Sequence, residues 1–136
     1  MARIVGYIAS SLDGFIADPQ ESLTWLTQRT DMQLGEFDYN LFIKRIRTVV
    51  MGRGTYDWLV RENIPWPYGE QRVIVVTSRP LPSPIGALDE IEIYVISQLL
   101  GGGFPLFPAT GFEKRLKLLS SNMLGTGCVR LHYSFE

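Results

Sequence analysis

The stretch Thr48-Val49-Val50-Met51-Gly52-Arg53-Gly54-Thr55-Tyr56 decides how this chain is read. Thr48 to Met51 is a short apolar run, the pattern of a strand buried on both faces. Gly52-Arg53-Gly54 breaks it with turn chemistry, and Thr55 to Val60 opens a helix. A strand feeding a helix in this way is a building unit of α/β sheets. The start of a helix has unpaired N–H groups and the positive end of the helix dipole, so the turn can receive an anion. The glycines let main chain approach that anion, Arg53 adds a fork of donors, and Thr55 adds a hydroxyl. This is no P-loop, because no Gly-Lys-Ser/Thr follows, and the third glycine of a dinucleotide fingerprint is absent. Without a ligand the same residues make a tight turn with a capping threonine.

Toward the N-terminus, Arg3 to Ser10 reads as a strand with largely apolar faces on both sides, which places it inside a covered sheet. Ser11-Leu12-Asp13-Gly14 ends it with a turn, and Phe15-Ile16-Ala17 follows as a short extended piece. Leu23 to Gln28 is weakly helical. From Asp38, a plausible N-cap, Tyr39, Phe42, Ile43 and Ile46 lie on one helical face. Toward the C-terminus, Asn63 to Gly69 is loop and Arg72 to Thr77 is a second buried strand. It ends in Thr77-Ser78-Arg79, two hydroxyls and a guanidinium suited to a phosphate. Ligands in open α/β sheets gather beyond the carboxyl ends of strands. Both anion-friendly turns follow parallel-type neighbours, so they should leave the sheet at the same edge. The order so far, strand–helix–strand–helix–strand, predicts an α/β layer.

The second half differs. Ser78 to Leu88 contains Pro80, Pro82 and Pro84 and does not suit a helix. Glu90 to Gln98 alternates as a strand, and Gly101-Gly102-Gly103 is a flexible turn. Lys114 to Met123 and Cys128 to Phe135 read as a hairpin about Gly125-Thr126-Gly127. In its last strand Val129, Leu131, Tyr133 and Phe135 share one face, while Arg130, His132 and Ser134 share the other. That alternation predicts one wet face, with His132 exposed.

The chain has 136 residues, enough for a single domain, with 46% hydrophobic and 20% charged residues, as expected of a soluble globular protein. A net charge of −1 gives no basic footprint for nucleic acid. The single cysteine, Cys128, fits a reducing compartment and reads as a packed thiol. One histidine and one cysteine do not make a usual zinc site, and no metal is expected. The N-terminus lacks a signal-like apolar region and no apolar stretch is long enough to span a bilayer. The expectation is a cytoplasmic protein without membrane or nucleic-acid partners. Asp13, beside Gly14, is a candidate to orient a substrate or move a proton; an Asp-Gly turn is the plain alternative.

These motifs resemble the dihydrofolate-reductase-like proteins, in particular the reductase domain of riboflavin biosynthesis. The resemblance rests on Ser11-Leu12-Asp13-Gly14-Phe15-Ile16-Ala17, on Val50 to Tyr56, on Thr77-Ser78-Arg79, and on Leu88 to Ile91 with Leu100 to Phe107. It implies a mixed, mostly parallel sheet with flanking helices and a C-terminal antiparallel hairpin. It also implies an NADPH-dependent reductase of a small heterocyclic or carbonyl substrate, working as a homodimer. By resemblance, Gly52, Arg53 and Thr55 hold the NADPH phosphates, and Thr77, Ser78 and Arg79 meet the 2′-phosphate end. Ala9 and Ile16 flank the nicotinamide, and Asp13 lines the substrate cleft. One departure stands out. Between Arg79 and Leu88 the family carries a helix, a strand and a glycine-rich pyrophosphate turn, whereas this sequence has a short proline-rich link. A strand–helix–strand unit needs about 30 residues, which the link cannot hold. Either the chain lacks a segment that the molecule has, or the protein is shortened. The competing reading is a non-catalytic, dimeric small-ligand-binding remnant of the same fold, and the absent turn is its best support.

Overall fold

Apolar, β-branched runs become strands here, and glycine or proline separates them. The computed structural model describes residues 3–61, 71–76, 88–107, 109, 111 and 113–136. Their elements are β1 (Val5–Ser11), β2 (Phe15–Ala17), α1 (Thr24–Thr27), a 3₁₀ turn (Gly35–Phe37), α2 (Tyr39–Ile43) and β3 (Thr48–Gly52). There follow α3 (Arg53–Arg61), β4 (Arg72–Val76), β5 (Glu90–Ile96), β6 (Phe104–Pro105), β7 (Leu116–Met123) and β8 (Cys128–Phe135). The chain divides into two compact units, residues 1–34 with 82–136 and residues 35–81.

The larger unit is built on a four-stranded sheet in the order β1-β5-β8-β7. β1 and β5 run parallel, while β5–β8 and β7–β8 are antiparallel. β2 and β6 form a separate antiparallel pair. Its buried apolar residues include Trp25, Ile91, Ile93, Tyr94, Ile96, Leu124 and Cys128. Ile96 is 1% exposed, and burying such a side chain contributes roughly 1.5–3 kcal/mol. The β7–β8 hairpin turns at Gly125, whose φ of 82° is open to glycine, and a Cβ there would collide with the Asp31 carbonyl oxygen.

One sequence expectation is reversed. The polar side of β8 is not the wet one: Arg130 is 7% exposed, whereas Val129 on the opposite face is 39% exposed. Register explains the inversion. Arg130 lies opposite Tyr94 and His132 opposite Glu92, so the polar residues of β8 meet those of β5 on a shared face. Arg130 Nε and Nη2 each lie 2.9 Å from Glu92 Oε1, and Tyr94 donates its hydroxyl to the same oxygen at 3.1 Å. The other guanidinium nitrogen, Nη1, donates to Ser120 Oγ and Asn122 Oδ1 on β7, at 3.2 and 3.0 Å. His132, expected to be exposed, is part-buried with Nε2 2.7 Å from Glu90 Oε1. Arg3 Nε meets the second oxygen of Glu90 at 2.9 Å. Buried charges persist when each is paired and hydrogen-bonded, and these are.

The smaller unit pairs β3 and β4 in parallel. Its buried apolar residues are Phe42, Met51 and Leu59. Asp38 caps α2 as its sequence predicts, accepting the Asn40 N–H at 2.9 Å. The helix is shorter than its apolar spacing suggests: after Ile43 the chain tightens, with N–H groups of Arg45 and Ile46 donating to Phe42 and Ile43. The expected Gly52–Gly54 turn is also tighter, since Gly52 ends β3 and Arg53 already begins α3.

Candidate functional site

In the larger unit, chemistry gathers where β1 ends. Ser11, 1% exposed, donates its hydroxyl to Asp13 Oδ1 at 2.6 Å and accepts the Phe15 N–H at 2.9 Å. The Asp13 carboxylate also accepts the Leu100 N–H at 3.1 Å and the Gly101 N–H at 2.9 Å. The Ser11 hydroxyl above all, helped by the Gly101 and Leu100 amides, holds the Asp13 carboxyl down at about 2. It is therefore ionised at neutral pH, with Oδ1 accepting from Ser11 and Leu100 and Oδ2 from Gly101. In that state it joins the turn after β1 to the glycine loop after β5.

This tie has two flanking leucines, and both line an open depression. Leu12, Leu99, Val95 and Val129 line about 300 Å³ of space with Ile96, Ser97 and Gln98. The Leu12 N–H donates to the Gln98 carbonyl at 2.9 Å beside it. Arg29 supports the same loop: Nη1 reaches Gln98 Oε1 at 3.0 Å, while Nε and Nη2 hold Asp31 at 2.9 and 2.6 Å. Asp31, whose carboxyl Arg29 pulls below its usual value, is thereby a structural partner and faces no cavity wall. Gly103, with φ of 135°, packs so closely on the Ala17 carbonyl oxygen that a Cβ would not fit there. The Leu106 N–H donates to the Gly14 carbonyl at 2.8 Å, zipping the two loops together.

Ala9 lies on β1 opposite Tyr94, and Ile16 lies on β2; both are half-buried and neither lines the cavity. In the smaller unit, Gly52 at the end of β3 is the register partner of Val76 at the end of β4. The two strands therefore deliver their carboxyl ends side by side. Arg53 is the first residue of α3, and Thr55, also in its first turn, is exposed. Thr77, Ser78 and Arg79 lie outside the described residues. Sequence reasoning missed Ser11, Leu12 and Leu99 as site residues. Ser11 could have been found, since a serine two residues before an Asp-Gly turn is well placed to bond it. Leu12 and Leu99 carried no signal, because an exposed leucine in a loop is common.

Among the described residues no helix is long and apolar enough to cross a membrane, and no cluster of three or more acidic, histidine or cysteine side chains could hold a metal. No family model matches the chain. By sequence it is similar to YwjB of Bacillus subtilis (strain 168), an uncharacterised protein. The two are 29% identical over 171 aligned positions, covering 96% of this chain and 97% of YwjB. By structure it is similar to a protein of Shewanella sp. PV-4 named for riboflavin biosynthesis, with a TM-score of 0.80 and 24% identity over 100% of this chain and 99% of that one. A deaminase/5-amino-6-(5-phosphoribosylamino)uracil reductase of Thermotoga maritima matches at a TM-score of 0.64 and 12% identity, covering 98% of this chain and 56% of that one. Dihydrofolate reductase of Enterococcus faecalis, solved with NADP(H), matches at 0.57 and 14% over 98% and 96%. The chain has the dihydrofolate-reductase-like fold: a mixed α/β arrangement with parallel strand pairs and a C-terminal antiparallel hairpin. Within that class, its structural neighbours are reductases and riboflavin-biosynthesis proteins.

Proposed function

We propose that the protein is an NADPH-dependent reductase of a small heterocyclic or carbonyl compound. The observation that carries the reading is the paired register of Gly52 and Val76, which supports one phosphate-binding edge formed by two parallel strands. The donor set suits an anionic tail: α3 begins immediately after β3, and Arg53, Thr55, Thr77, Ser78 and Arg79 are donors of the kind phosphate takes. In this reading Gly52, Arg53 and Thr55 hold the cofactor phosphates, Thr77, Ser78 and Arg79 the 2′-phosphate, and Ala9 and Ile16 the nicotinamide. Bound NADPH would supply a hydride to an electron-poor carbon. The protein's own part is orientation and exclusion of water. Leu12 and Leu99 flank an open apolar depression of about 300 Å³, at the small end for a ligand site. Relatives in this fold that are named as reductases support the same reading. Small-molecule substrate, homodimeric assembly and a cytoplasmic setting belong to this proposal too.

A second reading, a non-catalytic, dimeric remnant that binds a small ligand, is favoured by the short proline-rich interval between Arg79 and Leu88, which contains no glycine-rich pyrophosphate turn. Titration with NADPH, read by tryptophan fluorescence, separates the two. The reductase predicts saturable quenching, tighter for NADPH than for NADH, with the preference abolished in Arg79→Ala. No response at about millimolar cofactor, a concentration far above typical dissociation constants, would remove the reductase reading.

A further inference from the structure

The polar side chains of β5 and β8 share one face of the four-stranded sheet, which leaves the other face to apolar residues. Across that face Val95 of β5 lies opposite Val129 of β8, and Val129 lies opposite Met123 of β7. The row carries no charge, yet Met123 is 82% and Val129 39% exposed. Leu12 and Leu99, 65% and 67% exposed, line the depression of about 300 Å³ together with Val95 and Val129. Met123 stands one strand further on, about 5 Å from Val129 at the usual strand spacing. All of these residues belong to the larger unit. Successive residues of a strand face opposite ways, so this is the reverse of the face on which Ala9 meets Tyr94. Under the reductase reading, a nicotinamide beside Ala9 therefore lies across the sheet from this row.

We propose that this face is the contact between two copies of the chain, each seating its Met123 in the depression of the other. The inference rests on the homodimeric part of the proposed function and not on NADPH. The patch holds a projecting side chain and a hollow next to each other. A two-fold axis between them brings each knob to the other copy's hollow. An unbranched thioether adapts well to an irregular hollow. The lining is uncharged, with Ser97 and Gln98 as its polar members, so it selects no ionic partner. Area agrees with a second copy as occupant. The exposed parts of Leu12, Leu99, Val129 and Met123 amount to on the order of 500 Å², the apolar centre of an interface burying about 800 Å² per partner. A patch of that size is at the upper end of what a monomer leaves bare. A net charge of −1 opposes the pairing of two copies only weakly.

Sedimentation of the full chain reads the assembly. Interfaces of this size span micromolar to picomolar affinity, so the wild type is expected to be a dimer at about 50 μM. Met123 is exposed enough to be dispensable for folding, and Met123→Lys should raise the dimer dissociation constant roughly tenfold or more. Leu99→Glu should do the same from the other side of the contact. Mixed together, the two variants should pair with each other. The new ammonium then meets the new carboxylate at one contact, while native methionine meets native leucine at the second. A wild type that stays monomeric at about 50 μM, well above the weak end of that range, overturns the proposal. So does a dimer unmoved by Met123→Lys, a mixture that does not pair, or growth into open chains. NADPH titration of the same samples keeps the two questions apart. A dimer that weakens in Met123→Lys but ignores NADPH supports this contact and removes the reductase reading. A monomeric wild type that binds NADPH overturns the contact and leaves the reductase reading standing.

Discussion

Asp13 fastens two loops through the hydrogen bonds its carboxylate accepts. Its carboxyl sits at about 2, below the usual 3.8, because Ser11, Gly101 and Leu100 donate to its charged form. A depressed carboxyl helps hold the native loops above its unfolded value and stops doing so as pH falls through the folded one. The Leu100 and Gly101 amide resonances should therefore stay constant down to about pH 4 and then titrate with a midpoint near 2. In Asp13→Ala that transition should vanish and both amides should exchange faster at neutral pH. Unchanged exchange in the variant would contradict this tie. Cys128 gives the opposite case. It is 1% exposed, and burial pushes its thiol up to about 11. The native protein should not react with a disulfide reagent near neutral pH, and one thiol should appear on unfolding. Stoichiometric labelling of the native chain would refute this. The packed reading of Cys128 was available from its strand-like neighbours. The tie from Asp13 to the glycine loop was not, because those donors come from positions 100 and 101.

At the level of elements, the buried pairing between β5 and β8 is the most consequential feature. Glu92 and Arg130 side chains are each 8% exposed, so removing one leaves an uncompensated charge. Glu92→Ala should cost about 3–5 kcal/mol, read from the denaturation midpoint in urea. Replacing both residues by methionine should recover part of the loss, since no charge is then buried, while Tyr94, Ser120 and Asn122 lose the hydrogen bonds they made to the pair. A double variant as unstable as the single one would show that the pair does more than neutralise itself. The two-residue period of β8 was fully legible in its sequence, but its covered face was not. Periodicity sorts residues into two faces. Which face is buried depends on the partner strand, and here β5 presents Glu90 and Glu92 to Arg130 and His132. The cap at Asp38 was legible because capping is local, reaching only from residue 38 to residue 40.

On the scale of the whole molecule, an α/β layer with a C-terminal hairpin was readable from the order of strand, turn and helix signals, and the resemblance of the motifs implied the dihydrofolate-reductase-like fold that structural neighbours share. The strand-to-helix step at Gly52 and Arg53, the parallel β3–β4 pair and the C-terminal hairpin all follow from local pattern. Each depends on residues near one another in sequence or on the period of a single strand. The departure between Arg79 and Leu88 was equally visible, because the eight residues between them cannot contain a strand–helix–strand unit. Tertiary structure decided what depends on distant partners: that β1 pairs with β5, that the polar side of β8 is interior, and that Leu12 and Leu99 flank one depression. Local sequence sets backbone preference and side-chain period. Burial and hydrogen-bond partnership arise only when segments tens of residues apart meet, and no local pattern encodes which ones will.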